Sequence, residues 1–166
     1  MMQINFFAKG VPKPAGSKNA FAIRRSGVPT GQVVVTDSSG KSGKQWRNAV
    51  AAAAREAALN HRLAEPLTDP VSTTFLFVMP RAASHYRTGK CAHVLRDDAP
   101  TEHVKAPDAI KLTRSAEDAL KGILWVDDAQ VIHTVVSKRY AMPFEETGVY
   151  ISVSERRSAV AVEVAA

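Results

Sequence analysis

Between Pro107 and Lys138 the chain reads PDAIKLTRSAEDALKGILWVDDAQVIHTVVSK. Five carboxylates, Asp108, Glu117, Asp118, Asp127 and Asp128, stand there among Lys111, Arg114 and Lys121. Helix formers with apolar residues three and four apart fill the first half, Gly122 is a stop, and two apolar, β-rich runs flank the paired Asp. The run predicts a helix from Ala109 to Lys121, a tight turn, a short strand (ILWV), the Asp pair and a second strand. With Leu112 set at zero and about 100° per residue, Ala116, Ala119 and Ile123 share one buried stripe. Arg114, Glu117 and Lys121 fall opposite, with Asp118 and Lys111 beside them. Ile110 lands at about 160°, inside the charged face, where a β-branched apolar residue is a local anomaly.

A four- or five-residue strand covers about 15 Å, and the helix spans roughly 20 Å. If the strand doubles back, the paired Asp reach the helix's N-terminal half. Asp108, Asp127 and Asp128 are then expected to share a metal. Carboxylate oxygens select Mg²⁺ or Mn²⁺, and Mg²⁺ keeps water while taking one or two carboxylates plus phosphate. Such an ion activates water and stabilises charge developing on a phosphodiester. Plainer roles stay open for each acid: a helix cap for Asp108, the (i, i+4) partner of Arg114 for Asp118, and a turn for Asp127-Asp128. Taken jointly the acids point to a metal-dependent nuclease site, with Asp118 at least partly structural.

The rest of the chain is basic. Of 166 residues, 45% are hydrophobic and 23% charged, which suits one globular domain, and the net charge is +6. Up to Arg62, ten Lys and Arg stand against two acids, Asp37 and Glu56. A solvated surface is one reading, and a phosphate-contacting face is the sharper one. Lys13, Lys18, Arg24, Arg25, Lys111 and Lys138 are the DNA-contact candidates. The lone Cys91 excludes a disulfide framework and a thiolate zinc site. Nothing approaches the ~20 apolar residues of a membrane span, so a soluble, cytoplasmic protein is expected.

Strands are expected at Gln3–Ala8, Phe21–Arg25, Gln32–Thr36, Val71–Met79, Gln130–Tyr140 and Gly148–Ser154. Asp37, Ser38 and Ser39 offer caps for an Ala-rich helix over about Lys41–Leu63, with Trp46, Val50, Ala53, Ala57 and Leu59 as its apolar face. Residues 80–106 lack periodicity and read as a long functional loop. Its His85, His93 and His103 have no regular metal spacing and read as surface residues or phosphate contacts. A nuclease domain over 1–154 and a loose tail over 155–166 complete the layout.

PDAIKL, EDALKG, WVDDAQV and VVSKRY, in that order and spacing, resemble the signature of the RusA family of Holliday-junction resolvases, common in prophages. About 35 residues carry the likeness strongly, and the rest matches in general layout. The resemblance implies an α+β (mixed α/β) single domain, a mixed sheet with two main helices packed on it. It also implies a homodimer that binds four-way DNA junctions and makes paired symmetric nicks with Mg²⁺, in recombination and repair. Asp108 matches the family's first motif Asp, Asp128 the essential Asp of the pair, Asp127 its neighbour, and Asp118 the Asp of the DAL segment. Arg114 stands where the family keeps a basic residue suited to phosphate or transition-state charge.

Ile110 departs from the pattern, because it occupies the place of the second motif Asp and cannot ligate metal. Glu117 projects from the same helix face, about 20° round and about 10 Å further along the axis. It would compensate only if the Asp pair sets the metal lower along the helix. The expected catalytic set is thus Asp108, Asp128, Arg114 and Glu117, and the expected metal set Asp108, Asp127, Asp128 and Glu117. Two other readings remain: a catalytically impaired junction-binding protein, and a non-specific DNA-binding module whose acids merely pair with Arg114 and Lys111.

Overall fold

The computed structural model describes residues 2–16, 18–37 and 40–156. Four strands form one mixed sheet: β1 (Gln3–Lys9), β4 (Val71–Met79), β5 (Val131–Tyr140) and β6 (Gly148–Glu155). Their order is β1-β6-β4-β5. β6 runs antiparallel to both β1 and β4, whereas β5 runs parallel to β4. That parallel pair needs a long crossover, and the crossover carries α2 (Ala109–Leu120). Two further strands, β2 (Lys18–Arg25) and β3 (Val28–Asp37), pair only with each other. α1 (Gly40–Asn60) follows them. This is an α+β domain with a mixed sheet and two helices.

Both helices pack on one face of the sheet. Side chains alternate along a strand, so the register Phe6–Ile151–Phe75–Val136 runs across all four strands on a single face. Ile4, Val153, Val149 and Phe77 join it, fully buried, under Val50 and Ala54 of α1 and Leu112, Ala116 and Leu120 of α2. The same parity puts Thr134, Val136 and Lys138 of β5 on the helix side. Where β1 meets β6 there is room only for glycine, since a Cβ on Gly148 would sit 2.3 Å from the Ala8 carbonyl oxygen.

Several expectations change. The face of α1 buries Gly43, Trp46, Val50, Ala54 and Ala57, while Leu59 is 77% exposed. Leu59 falls off that stripe, and the helix ends at Asn60. Ser38, Ser39 and the tail from residue 157 onward lie outside the described residues. ILWV is not a strand. Gly122, at φ 74°, ends α2 and closes a turn by donating its N–H to the Trp125 carbonyl at 2.7 Å. Leu124 and Trp125 are both fully buried in this turn, and Leu124 N–H donates to the Leu120 carbonyl at 3.0 Å.

Residues 80–106 are closely knit. Arg87 pairs with Asp97 and Arg96 with Asp98, at 2.9 and 3.0 Å. His85 and His103 are not surface contacts. Both are buried, with their rings 4.6 and 4.7 Å from the Tyr140 ring, and only His93 is exposed. Among the described residues no helix is long and apolar enough to cross a membrane.

Candidate active site

α2 is strongly two-faced. Leu112, Thr113, Ser115, Ala116, Ala119 and Leu120 are buried, so Ile110, Arg114, Glu117 and Asp118 are left to the other side. Between that side and β5 lies a cleft of about 570 Å³, lined by those four residues with Thr113, Asp128, Thr134 and Val136. Thr113, Thr134 and Val136 had no signal in the sequence. Thr134 and Val136 enter the wall through the parallel register of β5, which only the pairing reveals.

The turn after Trp125 delivers the Asp pair and gives its members different tasks. Asp127 caps a 3-10 turn over Asp128–Gln130, with its Oδ1 accepting the Ala129 N–H at 2.9 Å. Gln130 Oε1 accepts the Asp127 N–H in return, and its Nε2 donates to the carbonyls of Leu67 and Asp69. The other Asp127 oxygen takes Lys121 Nζ at 2.7 Å. That hydrogen bond, then the Ala129 N–H, hold the Asp127 carboxyl below its usual range. Asp128 accepts the buried Trp125 indole N–H on Oδ1 at 3.1 Å, and its Oδ2 lies 3.8 Å from Lys121 Nζ. Asp128 lines the cleft and Asp127 does not.

The pair therefore meets the C-terminal half of α2, beside Glu117 and Lys121. This is the lower placement on which a role for Glu117 depended. Glu117 is half-buried, and its carboxyl is pushed above the usual range, first by burial, then by Asp128 and Asp118. Among the described residues Glu117 and Asp118 make no ion pair, while Asp128 has Lys121 at 3.8 Å. Asp118 does not pair with Arg114, and among the described residues Arg114 makes no ion pair. Both side chains are turned to the cleft instead.

Asp108 is separate. It stands at the N-cap position of α2 without capping it, and its ion-pair partner is Lys111 at 3.4 Å. It does not line the cleft. Lys138 Nζ donates at 2.7 Å to the carbonyls of Lys105 and Pro107, so it holds the entry to α2. Ala15 N–H donates to the Lys111 carbonyl at 2.9 Å, which ties the loop carrying Lys13 to the first turn of the same helix. Arg24 and Arg25 stand exposed at the turn end of the β2–β3 hairpin.

Among the described residues no three His, Cys, Asp or Glu gather closely enough to enclose a metal ion. Carboxylate oxygens facing an open cleft suit an ion held by one or two carboxylates, the remaining positions falling to water and phosphate. An open cleft lined by three carboxylates, Glu117, Asp118 and Asp128, and the Arg114 guanidinium has the chemistry to handle a phosphodiester. The profile of the endodeoxyribonuclease RusA family matches residues 12–154, and the chain belongs to that family. Membership implies a nuclease acting on Holliday junctions. No curated protein matches the chain.

Proposed function

We propose that this chain is a divalent-metal-dependent endonuclease that resolves four-way DNA junctions by paired symmetric nicks, as a cytoplasmic homodimer serving recombination and repair. Two clefts related by a two-fold axis would match the two strands cut. The observation that carries the reading is the meeting of Glu117 and Asp128 at one end of a cleft whose other end holds Ile110. Glu117 and Asp128 would hold the Mg²⁺ or Mn²⁺, and Asp108 and Asp127 are outer candidates at best. When bound, that ion supplies an activated water and a counter-charge for the phosphate.

This chain's own residues do the rest. Trp125 Nε1 fixes one oxygen of Asp128, leaving the other for the cleft. Lys121 neutralises Asp127 and stands near Asp128, so the acids are positioned before any ion arrives. Arg114, without a carboxylate partner, is available to the scissile phosphate and the charge that develops on it. Lys13, Arg24, Arg25 and Lys111 contact backbone phosphates, and the side chain of Lys18 lies outside the described residues. Lys138, committed to two carbonyls, shapes the site more than it contacts DNA.

A second reading has its own observation. Ile110 is 73% exposed where the family keeps a carboxylate, which fits a junction-binding protein impaired in cutting. One gel separates the two, using a synthetic four-way junction with and without Mg²⁺. Symmetric nicked duplexes that appear only with Mg²⁺ support the nuclease. A shifted band that never cuts, in Mg²⁺ or Mn²⁺, supports the impaired binder.

A further inference from the structure

The β2–β3 hairpin stands apart from the rest of the fold. No other strand bonds to either edge among the described residues, and every side chain from Ala20 to Val34 is exposed. Phe21 is 59% exposed and sits directly across from Val34, so the two share one face of the ribbon. Ile23, 38% exposed, adds a further apolar side chain where the register shifts between Ala22 and Arg24. An isolated two-stranded ribbon is marginal in water, and apolar side chains clustered on one mark a contact surface.

Charge identifies what covers it. Arg24 and Arg25 lie beside the turn, opposite Pro29 and Val28. The chain contains no acid before Asp37, while Lys9, Lys13 and Lys18 precede the two arginines. A second copy of a chain carrying +6 is a poor match for that arm, and a polyanion is a good one. Position agrees with charge. Three residues before β2 the chain is anchored by the Ala15 bond to Lys111, next to the cleft-lining Ile110.

We infer that the ribbon is a wedge for the branch point of junction DNA, an inference that rests on the junction-cutting reading above. Arg24 and Arg25 hold phosphates, while the Phe21–Val34 face and Ile23 cover base pairs left unstacked at the crossover. An intact duplex admits a ribbon to its major groove but keeps its base faces stacked. A branch exposes those faces, and inserted apolar side chains cover or separate them. The cations then supply affinity for any DNA, and the apolar face supplies the preference for branched DNA.

The test compares binding of the full chain to a four-way junction and to linear duplex, at matched salt without divalent metal. Phe21→Ser/Val34→Ser changes only solvent-exposed side chains, and circular dichroism confirms its fold. It is expected to weaken junction binding about tenfold or more, to leave duplex binding within about twofold, and to abolish the fluorescence rise of 2-aminopurine at the branch point. Arg24→Ala/Arg25→Ala is expected to weaken both substrates and to flatten the salt dependence by about two counterions. Equal losses on both substrates after the serine changes, or no loss, overturn the wedge. A fall from dimer to monomer in sedimentation overturns it in favour of a second copy. If the unaltered chain fails to prefer the junction, the functional reading itself fails. A preference that survives the serine changes defeats the ribbon's role alone.

Discussion

Glu117 and Glu145 are both partly buried glutamates beside β5, and the protein treats them in opposite ways. Glu145 receives both arms of the Arg139 guanidinium at 2.6 Å and the Met142 N–H at 2.7 Å. Those bonds, the Arg139 hydrogen bond foremost, lower its carboxyl from 4.5 to about 2. Glu117 has no such partner. Burial and two neighbouring carboxylates raise its carboxyl instead. A fold that saturates one acid and leaves another facing like charge is not limited by a shortage of cations, since Arg114 lines the same cleft and makes no ion pair among the described residues. Strained acids of this kind mark sites where a ligand completes the charge balance.

Breaking each half of that contrast should give effects of different kind and size. Asp128→Asn should lower junction cleavage by on the order of a thousandfold, several kcal/mol of transition-state stabilisation. Gel-shift affinity without metal should stay within about twofold, and a variant that still cuts would refute the assignment. Glu145→Gln, outside the cleft, should instead lower stability by about 1–3 kcal/mol in denaturant melts, because it strips a largely enclosed Arg139 of its counter-charge. Cleavage per folded molecule should hold.

The two glutamates also predict opposite slopes with pH. Glu145 has a lowered carboxyl, so its stabilisation is complete above its unfolded value of 4.5 and is lost as pH falls toward about 2. Glu145→Gln should flatten acid unfolding in that window. Glu117 has a raised carboxyl, so its protonated form is favoured on folding and its contribution is lost as pH rises through the raised value. Glu117→Gln should therefore raise the melting temperature of the metal-free protein at neutral pH, with the gain vanishing in acid. At the small end, Lys111→Ala removes an exposed pair with Asp108 and should change stability by no more than about 0.5 kcal/mol.

Much of this was legible in the sequence because local chemistry and tertiary packing agree there. The β-branched run of β4 and the apolar stripe of α2 are real, and the charged side of α2 does face the cleft. ILWV reads as a strand in the sequence because a four-residue apolar run carries no period to separate strand from turn, whereas Gly122 at φ 74° and its bond to the Trp125 carbonyl fold it into a turn. That one error set the Asp pair at the wrong end of α2. His85 and His103 were opaque for another reason, since the Tyr140 ring that covers both is far off in the chain. The equal-looking Asp127 and Asp128 separated only when the capping box and the Trp125 indole each claimed one of them.

The most direct measurement is junction cleavage by Glu117→Gln in Mg²⁺, set beside metal binding to the same variant by calorimetry. If Glu117 fills the place vacated at Ile110, cleavage falls about a hundredfold or more, a loss of roughly 3 kcal/mol, and Mg²⁺ binding weakens with it. Metal-free junction binding is unchanged. Cleavage at the unaltered rate, with Mg²⁺ binding intact, would contradict the account.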